Sequence, residues 1–136
     1  MPPRARPLVT PNGRTIMSYR NGTLIRETGT TAIYLVVFGD RCWVPNPTTY
    51  GNLFLDSTAV KEISKAEMAA VPVGPDLTDG AYLGAVDGDP HVYLVSWRMA
   101  NHIASPAVFN QFGFNEKKIR KSPTVGAVPK GWTLTA

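Results

Sequence analysis

The sequence predicts an α+β fold, mainly strand, in which two tandem repeats of about 58 residues form one pseudo-two-fold domain with short helices. Three observations carry that prediction. First, the chain is written twice: Asn21-Gly22-Thr23-Leu24-Ile25 recurs as Asp79-Gly80-Ala81-Tyr82-Leu83, and Ile33–Phe38 recurs as Val92–Trp97. Trp43–Tyr50 recurs as His102–Phe109, and Ala70–Gly74, closing at Leu77, recurs as Ala127–Gly131, closing at Leu134. The offsets are 58, 59 and 57, so the matches keep their order with single-residue slips, the signature of internal duplication. Second, Ala32–Phe38 and Val92–Trp97 are β-branched and aromatic runs, apolar on both faces, as central strands are. Third, 12 glycines and 12 prolines in 136 residues demand many turns and short elements. The chain therefore divides into residues 1–20, an arm and first strand, then repeat one at 21–77 and repeat two at 78–136, sharing one core.

Each repeat follows from its turns and caps. Asn21-Gly22 and Asp79-Gly80 tolerate positive φ and predict hairpin corners, flanked by strands at Thr15–Arg20 and Thr23–Thr28 and by Ala81–Val86 in the second copy. Gly39-Asp40 should turn the central strand into Arg41–Val44, and Arg98-Met99 should do the same in the second copy. Asn46-Pro47 and Ser105-Pro106 read as an N-cap with proline at N1, which predicts helices over Pro47–Leu53 and Pro106–Phe112, the latter stopped by Gly113. Strands around Ala59–Ile63 and Lys117–Lys121 should follow. Ser64-Lys65-Ala66-Glu67 is a capping box opening a brief helix before Pro72, and Ser122-Pro123 begins its shorter equivalent. Three-copy trefoils and propeller blades of about 40–50 residues do not match a unit of this length.

The net charge of +4 comes from Arg4, Arg6, Arg14 and Arg20, because residues 21–136 hold 10 basic and 10 acidic groups. The body is neutral, so nucleic acid is not an expected partner, and MPPRARP reads as a solvated terminus. No apolar run approaches the roughly 18 residues of a membrane span. Cys42 is the single cysteine, which excludes an internal disulfide and suits a small buried residue better than a nucleophile. A conventional secretory leader is not evident, so the chain is expected to be cytoplasmic, exported without a leader, or a processed form.

Enzyme motifs are missing: neither phosphate-cradling nor dinucleotide loops, zincin helices or hydrolase elbows occur. No catalytic residue, cofactor or metal is expected, and Cys42, His91 and His102 are too scattered for structural zinc. Asp76, Asp79, Asp87 and Asp89 could surround calcium, yet Asp-Gly-Asp-Pro is also a good turn. The run Lys117-Lys118-Ile119-Arg120-Lys121, alternating faces on a strand, reads as a solvated edge rather than a phosphate stripe. The aromatics offer a ligand surface: Trp43, Trp97 and His102, close to Asp40, Arg41, Asn46, Asn101 and Ser105, would stack on sugar rings while the polar groups bond hydroxyls. Tyr34, Phe38 and Tyr93 read as core.

The quoted residues resemble a module that recurs in tandem in bacterial secreted and cell-surface proteins. Its pattern runs D-G-x-L, Y-L-I, a basic residue, I-P-x-P-x-x-F, G-F, and E-L-A-x-x-P-x-G-P-x-L. The first copy matches through Asn21–Leu24, Tyr34-Leu35-Val36, Arg41, Val44–Pro47, Tyr50, Glu67-Met68-Ala69 and Pro72–Leu77. The second matches through Asp79-Gly80, Tyr93-Leu94-Val95, Ile103, Ser105-Pro106, Phe109 and Gly113-Phe114, so about 115 residues are covered. The resemblance implies an accessory or binding part of the cell envelope and an extracellular place. The expected function is a non-enzymatic, lectin-like carbohydrate-binding module with two related sites, with a glycan or cell-surface saccharide as partner and a homodimer as candidate assembly. The alternatives are a structural or protein-interaction module and an enzyme of unfamiliar type.

Overall fold

Turns and proline-led helices cut this chain into elements of two to seven residues, and their pairing makes two mixed sheets. The computed structural model describes residues 6–9 and 15–136, with side chains from residue 18 onward. The strands β1 (Arg6–Val9) and β2 (Thr15–Ser18) form an antiparallel ribbon. Strand β3 (Leu24–Glu27), the hairpin β4 (Ile33–Val37) and β5 (Asp40–Val44), helix α1 (Pro47–Leu53), β6 (Val60–Ile63) and α2 (Lys65–Ala69) complete the first half. The second half runs β7 (Tyr82–Ala85), β8 (Val92–Ser96), β9 (Met99–Ile103), α3 (Pro106–Gln111), β10 (Arg120–Lys121), α4 (Pro123–Ala127) and β11 (Lys130–Leu134). The sheet orders are β5-β4-β3-β6 and β10-β7-β8-β9-β11.

The two sheets share their register as well as their order. Leu24–Leu35, Tyr34–Trp43 and Ile25–Lys61 are partners in the first sheet, and adding 59 to each gives the partners Leu83–Leu94, Tyr93–His102 and Gly84–Arg120 in the second. The place of β11 beside β9 is taken in the first sheet by the single parallel bridge between Arg41 and Val73. Alternation then sorts side chains: Leu24, Leu35 and Val37 from one half meet Leu83, Leu94 and Ile103 from the other in one core, closed by Leu53, Phe54, Phe112 and Phe114. The opposite face of each sheet is covered locally, by Met68 and Val71 over Ile25 and Val36, and by Val125 over Tyr93 and Ala100.

The halves interlock through their turns. Asn46 Nδ2 donates to Asp79 at 2.7 Å, the Gly80 N–H donates to Thr49 Oγ1 at 2.9 Å, and Asn52 donates to the Ala81 carbonyl. In the other direction Gln111 donates to the Asn21 carbonyl at 2.7 Å. Phe54 and Phe114 form an antiparallel bridge between halves, with their rings stacked 5.6 Å apart.

Several expected elements are corrected. Asn21-Gly22 and Asp79-Gly80 are turns but not hairpin corners. The Gly22 N–H donates to Val36 on β4, and β2 pairs with β1 rather than with β3. The β4–β5 and β8–β9 turns fall on Phe38-Gly39 and Trp97-Arg98, one residue earlier than the expected Gly39-Asp40 and Arg98-Met99. Lys117–Lys121 is not one strand: Glu116–Lys118 forms a 3-10 turn, and only Arg120 and Lys121 pair with β7. Ile119 between them is half-buried against the edge of the core, and the expected alternation is broken. Arg6 and Pro7 belong to β1, while the rest of the expected arm lies outside the described residues. Among the described residues, no helix is long and apolar enough to cross a membrane.

Candidate functional site

Each half folds its β-hairpin against the start of its proline-led helix, and a concavity opens at that junction. Asn46 is fully extended and caps α1 by accepting from the Thr49 N–H at 2.8 Å, while Pro47 takes the N1 position. Ser105 repeats this for α3, accepting from the Val108 N–H at 3.2 Å. The chain therefore leaves β5 and β9 in the same way, and a pocket is left at the matching place between strand, cap and helix in each half. In the first half it measures about 390 Å³ and is walled by Thr31–Ile33, Trp43–Pro47 and Tyr50. In the second it measures about 570 Å³ and is walled by Pro90–Val92, His102–Pro106 and Phe109, extended by Asn110, Glu116 and Ile119. All nine wall positions of the smaller pocket correspond to the larger at a constant offset of 59.

Four of the expected site residues line these pockets: Trp43 and Asn46 in one, His102 and Ser105 in the other. Trp43 is 37% exposed, so its indole is available to a ligand. Tyr50, on the pocket wall, has its phenol pushed above the usual value by burial and then by Asp56, which keeps the hydroxyl neutral.

The other four lie elsewhere. Arg41 is on the same face as Trp43 but closer to the hairpin tip, where α2 covers it. Its guanidinium sits 5.4 Å from the centre of the Tyr34 ring and donates to the Met68 carbonyl at 2.9 Å. Asn101 is wholly buried. Its amide donates to the Leu94 and Ser96 carbonyls and its oxygen accepts from the Trp132 N–H at 3.0 Å, holding the register shift between β9 and β11. Asp40 pairs with Val37 at the start of β5. Together with Asp76 it adds to burial in raising the nearby Cys42 thiol to about 12, so the buried thiol is no nucleophile at neutral pH.

Trp97 joins a different cluster. Phe38 and Trp97 open two-residue hairpin turns with φ of 52° and 55°, in the left-handed region that bulky residues rarely occupy. Trp132 on β11 lies between them, with ring centres 6.0 Å from Phe38 and 5.1 Å from Trp97. Phe38 and Trp132 are 47% and 44% exposed, and the Trp97 indole N–H is held by the Asp76 carbonyl. Phe38, expected in the core, is therefore surface.

Sequence reasoning set His91 aside as a zinc ligand and placed Tyr50, Phe109 and Trp132 at no site. Tyr50 and Phe109 could have been found, since the repeat itself aligns them; Trp132 corresponds to Pro75 and carries no such signal. Of the four aspartates weighed as calcium ligands, Asp79 is bonded to Asn46 and Asp89 to His91. Among the described residues, no three His, Cys, Asp or Glu side chains converge. Compared with known proteins, the chain matches no family model, no curated protein and no solved structure.

Proposed function

We propose that this protein is a non-enzymatic binding module with two related sites, each taking a saccharide unit in the pocket between hairpin and helix cap. One observation carries the reading: the nine pocket-wall positions repeat one for one across the duplicated halves, although their side chains differ. The repeated backbone builds the concavity twice, and a concave surface lined by apolar side chains with a few polar groups is where small ligands bind. The smaller pocket offers the face of Trp43, the neutral Tyr50 hydroxyl and the Asn46–Asp79 pair at its rim, the mix of flat ring and hydroxyl partner that suits a sugar. Two sites on one chain supply avidity for a repeating surface glycan, in keeping with the resemblance to a cell-envelope module.

A glycan array followed by calorimetry on the best ligand tests this. Wild type should bind two ligands per chain, and Trp43→Ala should remove one. An array on which the wild type finds no glycan ends the saccharide reading. The alternative of an interaction module is favoured by the exposed Phe38 and Trp132, clustered with the half-buried Trp97, which self-association would cover. Sedimentation at the mass of one chain up to high concentration removes that alternative.

A further inference from the structure

We infer that His91 and His102 hold a divalent transition-metal ion, zinc above all, at the larger pocket. The β8–β9 register sets His102 opposite Tyr93, and His91, two residues earlier and just before β8 begins, lies diagonal to it. Their ring centres are 4.6 Å apart, with planes at 80°. Two imidazoles on one zinc have their centres about 3.2 Å from the metal and, at bond angles of 90–109°, about 4.5–5.2 Å from each other. The observed spacing falls in that range. The fold does not ask for these rings: at the corresponding positions of the smaller pocket stand Ala32 and Trp43.

The second line of argument is how His91 is held. Asp89 Oδ1 lies 2.8 Å from Nδ1 of His91 and also accepts its backbone N–H at 2.9 Å, so the carboxylate fixes the ring and leaves Nε2 as the outward donor. A carboxylate behind a histidine is the arrangement that orients metal-binding imidazoles. The His91 side chain is half exposed, so an ion can reach it. Glu116 lines the same pocket and with Asp89 supplies negative charge, while Lys130 is held over the Tyr93 ring. Imidazole nitrogen selects zinc, nickel or copper over calcium or magnesium. With two protein ligands, the remaining positions are open to water or to oxygen donors of a bound ligand.

The inference stands apart from the saccharide reading, because its test uses the metal alone. Zinc chloride titrated into the full chain in a non-chelating buffer should show saturable binding of one ion per chain, unaffected by excess calcium. His91→Ala and His102→Ala should each weaken it more than tenfold, and Asp89→Asn by about tenfold. His91→Ala changes an exposed ring and keeps the test decisive should His102→Ala fail to fold. Absence of saturable binding overturns the site. So does affinity unchanged in His91→Ala, or half an ion per chain with dimerisation.

Discussion

Gly22 and Gly80 stand in the same turn of the two halves, with φ of 90° and 80°, yet their surroundings differ. A Cβ on Gly22 would come within 2.9 Å of the Gln111 carbonyl oxygen and of Phe112 Cα, both backbone atoms of the other half, whereas nothing lies within 4 Å of one on Gly80. Gly80→Ala should therefore cost only the left-handed backbone penalty of about 1–2 kcal/mol. Gly22→Ala adds an overlap that the interface must move to relieve, and should cost at least about twice as much. Urea unfolding of the two variants checks this; equal costs would show that the turn does not wedge against α3. Both glycines were legible in the sequence as turn residues. What they touch was not, because dipeptide chemistry reports local φ and says nothing about a partner about 90 residues away. The same limit explains Asn101, whose place in a polar-aromatic cluster suggested a ligand contact. A wholly buried carboxamide instead repairs a strand pairing that Cys42, its counterpart, does not need.

At the scale of elements, caps were the most legible feature. Asn46, Ser64, Ser105 and Ser122 all cap helices, since a side-chain oxygen before a proline or a capping box satisfies an N–H that sequence alone can locate. Strand partners were less so: β10 and β11 depend on neighbours brought from far along the chain, and the basic run opens in a 3-10 turn capped by Asn115. The α2 cap makes a prediction about pH. Glu67 accepts the Ser64 N–H at 3.0 Å and lies close to its hydroxyl, and these bonds, the backbone one foremost, hold its carboxyl below the ordinary value. Because the folded value is depressed, the contribution is fully present above the unfolded carboxylate pKa of about 4.3 and is lost as pH falls through the folded one. Glu67→Gln keeps the hydrogen-bond geometry without the charge. Its melting temperature should lie below wild type at pH 7, with the gap closing by about pH 3. A gap of constant size across that range would remove the ionised cap from the explanation.

For the whole molecule, the main apolar cluster draws on both parts of the chain. The main cluster takes eight buried residues from residues 21–77 and eight from 78–136, meeting at the stacked Phe54, Phe114 and Phe112 rings. Backbone hydrogen bonds cross there as well: the Leu55 N–H donates to the Gly113 carbonyl and the Asn115 N–H to that of Leu53. Cutting the chain between Leu77 and Thr78 would leave each half with one wall of that core in water. A piece near 60 residues buries only about 60% of the surface its unfolded chain exposes, so losing one wall removes its margin. Residues 15–77 and 78–136 expressed separately should each give collapsed, poorly dispersed amide NMR spectra and no cooperative thermal transition, while the full chain melts as one unit. Dispersed spectra from either fragment would mean that the half closes its own core. The cross-half bonds of Asn46, Gly80 and Gln111 would then be docking contacts between finished domains rather than part of what folds them.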